Sequence, residues 1–176
     1  MSQYNVQFQD GNGSLAGLRN LLINGLFGIN QRGYVSATAT TAANQYTVDR
    51  WCVVTFGQNL TFSATAGVGT ATAPAGGLKQ IIEGASIIGG TYTLGWTGTA
   101  TATVNGTAVA NGGTVTLTGN VDCPVIFSGG TVSEPQLEPG PVATPFEQRP
   151  VGLELSLCQR YFQKGRVTVF SGTTNY

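Results

Sequence analysis

The chain has 176 residues, of which 9% are charged and 41% are hydrophobic, and its formal net charge is zero. This length suits a single domain, and the apolar content is too high for a disordered chain. The low charge argues against a freely diffusing metabolic protein. Since no basic stripe or cluster is present, we also predict no nucleic-acid partner.

The chain contains no histidine. This excludes the commonest general base, the nucleophile arrangements that depend on it and most zinc sites. The acidic residues lie singly or within a proline-rich stretch, and no pair of them has a spacing typical of two-carboxylate hydrolysis. We therefore predict that the protein is not an enzyme and has no catalytic residue, no metal site and no cofactor.

Patterns that would direct the chain to a membrane are also missing. There is no signal-peptide pattern and no apolar run of about 18 residues, so we expect no membrane insertion. The three cysteines, Cys52, Cys123 and Cys158, are widely spaced. We expect them to be buried reduced thiols, which fits assembly in a reducing cytoplasm.

The amino-terminal residues 1–19 are polar, apart from one alternation of Tyr4, Val6 and Phe8 that predicts a short strand. We interpret residues 1–19 as an arm. This arm is either a docking segment or an ordinary flexible terminus.

The body of the chain begins with residues 20–33, in which Asn24-Gly25 indicates a turn or bulge. Farther along, Trp51 is predicted to lie in the core, because large aromatic side chains dominate sandwich cores. Its neighbours Asp49 and Arg50 would face opposite sides of a strand. We therefore expect no ion pair between them, and we assign Arg50 to holding down a loop.

Short strands separated by turn signals dominate the middle of the chain. Residues 60–63 are one such strand, and the Gly-, Ala- and Thr-rich residues 67–77 are predicted to be a loop. The clearest period of two places Tyr92, Leu94 and Trp96 on one face of a strand, opposite threonines.

Two turn signals follow this strand. Asn105-Gly106 predicts a two-residue hairpin, and Asn111-Gly112-Gly113 predicts a second one. The alternation resumes at Val115 and Leu117 and closes with residues 125–127. Strands spaced in this way predict an antiparallel β-sandwich or a jelly roll.

Four prolines between Glu134 and Pro145 fix φ and remove backbone donors. They predict that residues 134–150 form an extended surface strap, which is neither a helix nor a central strand. After this strap, Pro150 and Gly165 delimit a helix of about three turns.

The predicted helix is apolar on two adjacent rows. The residues of these rows are Leu153, Leu155, Leu157, Cys158, Tyr161 and Phe162. A face this wide needs cover, either from the chain's own sandwich or from two further copies of the chain packed along an axis. Beyond the helix, residues 166–170 are strand-like.

Three stretches of this chain resemble a signature of bacteriophage tail-fibre and other virion-surface proteins. They are residues 20–33, residues 46–54 around Asp49-Arg50-Trp51, and residues 136–162. The third stretch carries the most specific motifs, which are Gln136-Leu137-Glu138-Pro139-Gly140, Ala143-Thr144-Pro145-Phe146-Glu147, Arg149-Pro150 and Glu154-Leu155-Ser156-Leu157-Cys158-Gln159-Arg160-Tyr161.

The resemblance implies an all-β fold, a jelly-roll-like antiparallel β-sandwich with a short C-terminal α-helix. It also implies strands at the Asp49-Arg50-Trp51 motif and at residues 78–83. On this basis we divide the chain into the arm of residues 1–19, a sandwich of residues 20–148 and a trimerisation element of residues 149–176.

The function that the resemblance implies is that of a structural subunit of a phage virion, a tail-fibre or spike protein displayed on the particle surface. The apolar helix residues would form a homotrimer interface, and the arm would dock onto other virion proteins. Such a protein is assembled in the cytoplasm of the bacterial host and is located in the virion. A capsid decoration protein is an alternative.

Residues 20–33 also resemble the opening strand of some carbohydrate-binding modules, which motivates a second hypothesis. In this glycan-binding alternative, an exposed aromatic residue such as Tyr46, Tyr92 or Trp96 would stack on a sugar of the host surface. Core packing is the competing interpretation of Tyr92 and Trp96. The acidic residue that helps a calcium site in those modules is replaced here by Leu26, so no metal is implied.

Overall fold

The computed structural model describes residues 18–65 and 68–165, and the regular structure of this part of the chain is mainly short antiparallel strands. In chain order the strands are β1 (Gln45–Tyr46), β2 (Cys52–Val53), β3 (Thr61–Thr65), β4 (Val68–Ala73), β5 (Leu78–Ile82), β6 (Gly90–Thr97), β7 (Thr101–Val104), β8 (Thr107–Val109), β9 (Gly113–Leu117), β10 (Cys123–Ser128) and β11 (Gly130–Pro139). A short 3-10 helix covers Gly84–Ser86, and an α-helix, α1, covers Val151–Gln159.

The strands form two antiparallel sheets. One sheet has six strands in the spatial order β1-β2-β5-β10-β7-β8, and the other has five in the order β3-β4-β11-β6-β9. Buried apolar side chains from both sheets form one hydrophobic cluster between them. The prediction of an all-β sandwich with a short helix near its carboxyl end is confirmed.

Aromatic side chains connect the two sheets at the centre of the core. Trp96 on β6 packs edge-on against Phe127 on β10, with ring centroids 5.5 Å apart. Trp51 is fully buried and contacts Phe27 and Phe127 at centroid distances of 5.4 and 6.1 Å. Such pairs contribute about 1 kcal/mol each beyond the burial of area. The prediction that Trp51 is a core residue is therefore confirmed.

Two predicted turns are present. Asn105 and Gly106 have φ values of 48° and 80° and join β7 to β8 as a two-residue hairpin. At Asn24-Gly25, the amide of Phe27 donates to the carbonyl of Asn24 at 3.0 Å and closes a turn.

The second predicted hairpin is wrong. Residues 110–112 link β8 of the six-stranded sheet to β9 of the five-stranded sheet, so the chain crosses between the sheets there. The side-chain amide of Asn111 bonds the backbone NH and carbonyl of Trp96, at 3.0 and 2.6 Å. Asn111 thus fastens the crossing to β6.

Residues 134–139 of the proline-rich stretch belong to a central strand, β11. The prediction that residues 134–150 contain no central strand is therefore wrong. Strand β11 lies between β4 and β6, and its pairing with β6 shifts register between Ser133 and Gln136. Pro135 lies within this bulge, where the ladder needs no donor. Glu134, just before it, has a φ of 54°. The rest of the stretch, residues 140–150, is irregular chain up to α1, and we keep the name strap for these residues.

Residues 67–77 were predicted as a loop but contain β4. This strand pairs with both β3 and β11 and buries the small side chains of Ala71 and Ala73. The positions of this strand that the structure shows as buried hold only glycine and alanine, whose missing or small side chains give a weak apolar signal, which is why the sequence pattern indicated a loop. The strands predicted at residues 60–63 and 78–83 correspond to β3 and β5.

Two strands that the resemblance implies, one opening the body in residues 20–33 and one at Asp49-Arg50-Trp51, are not found. Residues 20–33 form no strand and run along the sandwich as bends and turns. Asp49-Arg50-Trp51 lies in a tight turn between β1 and β2, closed by a 2.9 Å bond from the Thr47 amide to the Trp51 carbonyl. Asp49 forms an ion pair with Arg32 at 3.8 Å and not with Arg50. This agrees with the prediction that Asp49 and Arg50 do not pair.

Helix α1 follows Pro150 and ends at Gln159, so it is shorter than the predicted helix that reached Gly165. No helix in the described ranges is long and apolar enough to cross a membrane. Two predictions, a strand within residues 1–17 and another at residues 166–170, lie outside the described residues.

Candidate functional site

The three stretches that carry the resemblance meet in space at α1. We call the contact region formed by residues 18–32, 49–51 and 136–162 the junction. It joins the start of the described chain, the turn between β1 and β2, and the segment that runs from β11 through α1. The contacts below show what each motif residue does there.

Glu138 organises the segment that follows β11. Its carboxylate is 3% exposed and accepts hydrogen bonds from the amide and hydroxyl of Thr144, at 2.7 and 2.6 Å. Arg19 provides the balancing charge at 3.3 Å. A buried carboxylate costs free energy unless it is paired and bonded, and here both requirements are met. The motif glutamate therefore folds the strap back over its own strand.

Glu147 ties this strap to the start of the body. Its carboxylate accepts bonds from the backbone amides of Leu18 and Asn20, at 2.6 and 2.8 Å. Its own amide donates to the side chain of Gln136 at 2.7 Å. Glu147 consequently links β11 to a segment that lies more than a hundred residues earlier in the chain.

Arg149 and Glu154 hold the first turn of α1. They form an ion pair at 3.2 Å, with the Arg149 side chain only 5% exposed. The Arg149 guanidinium also donates to the carbonyls of Asn20 and Leu22, and Glu154 accepts the amide proton of Asn24. Because Glu154 lies in the first turn, its charge also suits the helix dipole.

Two arginines stack on aromatic rings just beyond the end of α1. The guanidinium of Arg50 lies 3.5 Å from the centre of the Tyr161 ring, and that of Arg32 lies 3.7 Å from the Phe162 ring. Arg50 also donates to the carbonyl of Ile81 on β5. Arg50 was predicted to hold down a loop, and it instead connects strand β5 to the residues just after α1.

Asp49 completes this part of the junction. It is 1% exposed, and its Oδ2 accepts bonds from the amide and side chain of Gln31 at 3.1 and 2.8 Å. The side chain of Gln31 also donates to the carbonyl of Phe162 at 3.0 Å. The turn between β1 and β2 is thereby connected to the opening segment and to the residues after α1.

Burial sets the protonation states in the junction. It raises the pKa of the Cys158 thiol to about 12 and raises the pKa of the Tyr161 hydroxyl. It also lowers the pKa of the Arg50 guanidinium. At neutral pH the thiol is protonated and inert as a nucleophile, and the Tyr161 ring under Arg50 is uncharged.

The residues predicted to form an oligomer interface do not share one free face. Cys158 is fully buried in its own chain, and Tyr161 and Phe162 are half-buried against the arginines. Leu155 and Leu157 are partly exposed, whereas Leu153 is 39% exposed. The chain's own sandwich therefore covers part of the predicted face.

The most exposed apolar residue of α1 is one that the sequence reasoning missed. Val151, the first helical residue, is 75% exposed and lies outside the two apolar rows. Glu147 and Arg149 belong to the motifs and Arg32 to the first stretch of the resemblance, but none of them was assigned to a site. Most of their partners lie far away in sequence, so no local pattern could have predicted these contacts.

The aromatic residues proposed to bind a sugar are mostly inaccessible. Tyr92 and Trp96 are 1% and 9% exposed, so they cannot stack on a sugar, and their interpretation as core residues is confirmed. Tyr46 is 41% exposed, and the Arg32 guanidinium lies 5.0 Å from its ring centre. The structure does not bring these three residues together.

A cavity of about 260 Å³ opens beside the junction. It lies between the opening segment, the end of β3 and the first turn of α1. Its walls include Leu22, Leu26, Ile29, Ala64, Phe146, Glu147, Arg149, Val151 and Glu154. A second cavity of about 220 Å³ lies between β6, β11 and the strap.

Within the described residues, no three His, Cys, Asp or Glu side chains are grouped as a metal site would require. The described cysteines are all buried and unpaired with one another, as predicted. Comparisons of this chain with protein-family models, with curated proteins and with solved structures find no match.

Proposed function

We propose that this chain is a structural subunit of a phage virion, a tail-fibre or spike protein with a jelly-roll-like sandwich that forms a homotrimer. The observation that carries the proposal is the convergence of the three motif stretches on α1. Their polar side chains bond one another and the backbone, so the motifs act mechanically and hold a helix in place. This use of motif residues suits an assembly element.

The surface of α1 supports the trimeric part of the proposal. A helix of nine residues is marginal by itself in water, and the junction provides the contacts that keep it folded. The side chains of Val151 and Leu153, at the amino end of α1, are not covered by the junction and are 75% and 39% exposed. Three copies of this apolar end, brought together on an axis, would cover these side chains.

Native mass spectrometry of the purified chain tests the trimer. We expect a species of three times 18.2 kDa at micromolar concentration. The double variant Val151→Asp with Leu153→Asp should be a folded monomer, because it places six charges at the axis. Val35→Asp, at a 69% exposed residue outside the junction, should remain trimeric. A monomer in the unmodified chain would overturn this interface.

The virion location has a separate test. Antibodies raised against the folded chain should decorate the surface of particles made by the virus that encodes it, as seen by immunogold electron microscopy. Deletion of residues 1–17 should abolish this labelling if the arm attaches the subunit to other virion proteins. Particles that carry no label with the intact chain would contradict a structural role in the virion.

A further inference from the structure

Asparagine followed by glycine is a chemically reactive pair, and asparagine is among the thermolabile residues of proteins. The backbone nitrogen of the glycine can attack the side-chain carbonyl carbon of the asparagine, because glycine has no Cβ to hinder the approach. The sequence holds four such pairs, Asn12-Gly13, Asn24-Gly25, Asn105-Gly106 and Asn111-Gly112. The first lies outside the described residues, and the fold places the other three in different surroundings.

The pair Asn24-Gly25 is protected by burial and by hydrogen bonds. Asn24 is 2% exposed, and its side-chain amide donates to the carbonyls of Ile29 and Asp49 at 2.8 and 2.9 Å. Its side-chain oxygen accepts the amide proton of Ile29 at 2.9 Å. The side chain therefore cannot turn toward the nitrogen of Gly25 without breaking these bonds.

The pair Asn111-Gly112 is protected at both of its reacting groups. The side-chain amide of Asn111 bonds the backbone NH and carbonyl of Trp96 at 3.0 and 2.6 Å. The amide of Gly112, which would have to attack, donates to the carbonyl of Leu94 at 2.9 Å. A reaction here would need the crossing between the sheets to detach from β6.

The pair Asn105-Gly106 has neither protection. Both residues are exposed in the two-residue hairpin between β7 and β8. Within the part of the chain that the structure describes, no hydrogen bond involves the side chain of Asn105 or the amide of Gly106. A Cβ at Gly106 would meet no atom within 4 Å, so the space around the reacting groups is free. Strand β8 has 3 residues and lies at the edge of its sheet, so the hairpin opens easily.

We propose that Asn105-Gly106 is a site of spontaneous covalent rearrangement, which the fold leaves open while it protects Asn24 and Asn111. The nitrogen of Gly106 forms a bond to the side-chain carbonyl carbon of Asn105. The bond from that carbon to the side-chain nitrogen breaks, and ammonia leaves with the proton of the Gly106 amide, so a cyclic imide remains. Water then opens the imide at either carbonyl and releases a proton. The products are aspartate and isoaspartate, in which the backbone runs through the side-chain carbon.

The products change the charge and the length of the hairpin. Each event adds one negative charge to a chain whose formal net charge is zero. In isoaspartate the backbone of the turn is also longer by one carbon atom. The amide of Asn105 donates to the carbonyl of Pro124 at 2.8 Å, and Val104 pairs with Thr107, so a longer turn strains both contacts. We therefore expect β8 to detach more easily in the rearranged chain. This inference concerns a single chain and depends neither on the trimer nor on the virion.

Peptide mapping by mass spectrometry tests the site. The full chain would be stored at neutral pH, both folded and unfolded in guanidinium chloride, and sampled over several weeks. In the folded chain we expect aspartyl and isoaspartyl peptides to form at Asn105 several-fold faster than at Asn24 or Asn111. In the unfolded chain these three residues should react at similar rates, because the same dipeptide is then equally accessible. If Asn105 stays intact in the folded chain, or reacts no faster than Asn24 and Asn111, the proposal is overturned.

A matched variant tests the effect on the hairpin. Asn105→Gly removes the reacting side chain, and a Gly-Gly pair suits the same turn. The rearranged fraction of the unmodified chain, separated by anion exchange through its added charge, should show several-fold faster amide hydrogen exchange in β8 than the fresh chain. The stored variant should keep the exchange rate that it had before storage. An equal increase in both chains, or none in the rearranged fraction, would contradict the effect on β8.

Discussion

Arg50 shows how a single residue can join two parts of this fold. Its φ of 72° is uncommon for a residue with a side chain, and it lies in the turn between β1 and β2. The guanidinium is held between the carbonyl of Ile81 and the ring of Tyr161. A planar, delocalised cation can donate at its edge while stacking with its face, which a lysine ammonium cannot do.

The ring of Tyr161 should therefore matter more than its hydroxyl. We expect Tyr161→Ala to lower the free energy of unfolding by about 2 kcal/mol, because the stacked cation and the packing of the ring are both lost. Tyr161→Phe keeps the ring and should cost less than about 1 kcal/mol. Urea denaturation followed by circular dichroism measures both values. Equal losses for the two variants would contradict a role for the stack.

Among the elements, β4 depends on a close approach of two backbones. Gly69 on β4 is packed against the turn that contains Leu26, and a Cβ at this glycine would lie 1.6 Å from the Leu26 carbonyl oxygen. Gly69 pairs with Ala64 on β3, and the turn is closed by the bond from the Phe27 amide to the Asn24 carbonyl, so a shift of either backbone would strain these contacts. The glycine thus allows the opening segment to lie directly on the sheet.

A matched pair of glycine substitutions tests this contact. Gly69→Ala should lower the free energy of unfolding by about 3 kcal/mol, because the methyl group forces strand and turn apart. Gly95→Ala on β6 should change it by less than about 0.5 kcal/mol, since a Cβ there meets no atom within 4 Å. Thermal or urea unfolding of the two variants provides the comparison. A tolerated Gly69→Ala would show that the turn can shift.

The same elements show what the sequence could predict. The alternation of Tyr92, Leu94 and Trp96 identified β6 and its buried face, because one period-two pattern determines both. The proline content near Pro135 was misleading, because a bulge in β11 removes the need for the missing donor. Strand β4 was missed because its small residues are packed by a turn that comes from a distant segment.

The sequence predicted several residues of the junction but not the contacts between them. The motif residues Glu138 and Tyr161 were singled out from the sequence, but their partners Arg19 and Arg50 lie more than a hundred residues away. No local period connects such pairs. Their placement follows from the sandwich, which brings the opening segment and the segment after β11 to the same end.

At the scale of the whole molecule, buried thiols should make the fold sensitive to alkali. Burial raises the pKa of Cys123 to about 11 and that of Cys158 to about 12, from an ordinary value of 9.0. The unfolded chain therefore loses these protons first as the pH rises. The stabilisation is complete below about pH 9 and is lost progressively as the pH rises toward these folded-state values.

We expect the urea midpoint to fall between about pH 8 and about pH 10, before most tyrosines ionise. Cys158→Ala should reduce this fall, because it removes the thiol with the largest rise in pKa. Ser156→Ala, at an exposed residue of the same helix, is the control and should keep the full dependence on pH. A midpoint that is the same at both pH values would contradict protonated, buried thiols.

The bonds of Glu147, Arg149 and Glu154 to residues 18–24 also determine when the fold can be completed. These contacts connect residues separated by 127 to 130 positions. During synthesis on the ribosome, the opening segment emerges first and lacks these three partners until the start of α1 has left the exit tunnel. Closure of the junction is thus a late, post-translational step, and contacts between residues so far apart in sequence slow folding. A nascent chain that stops before Glu147 would leave the backbone groups of residues 18–24 that these three side chains bind without those partners.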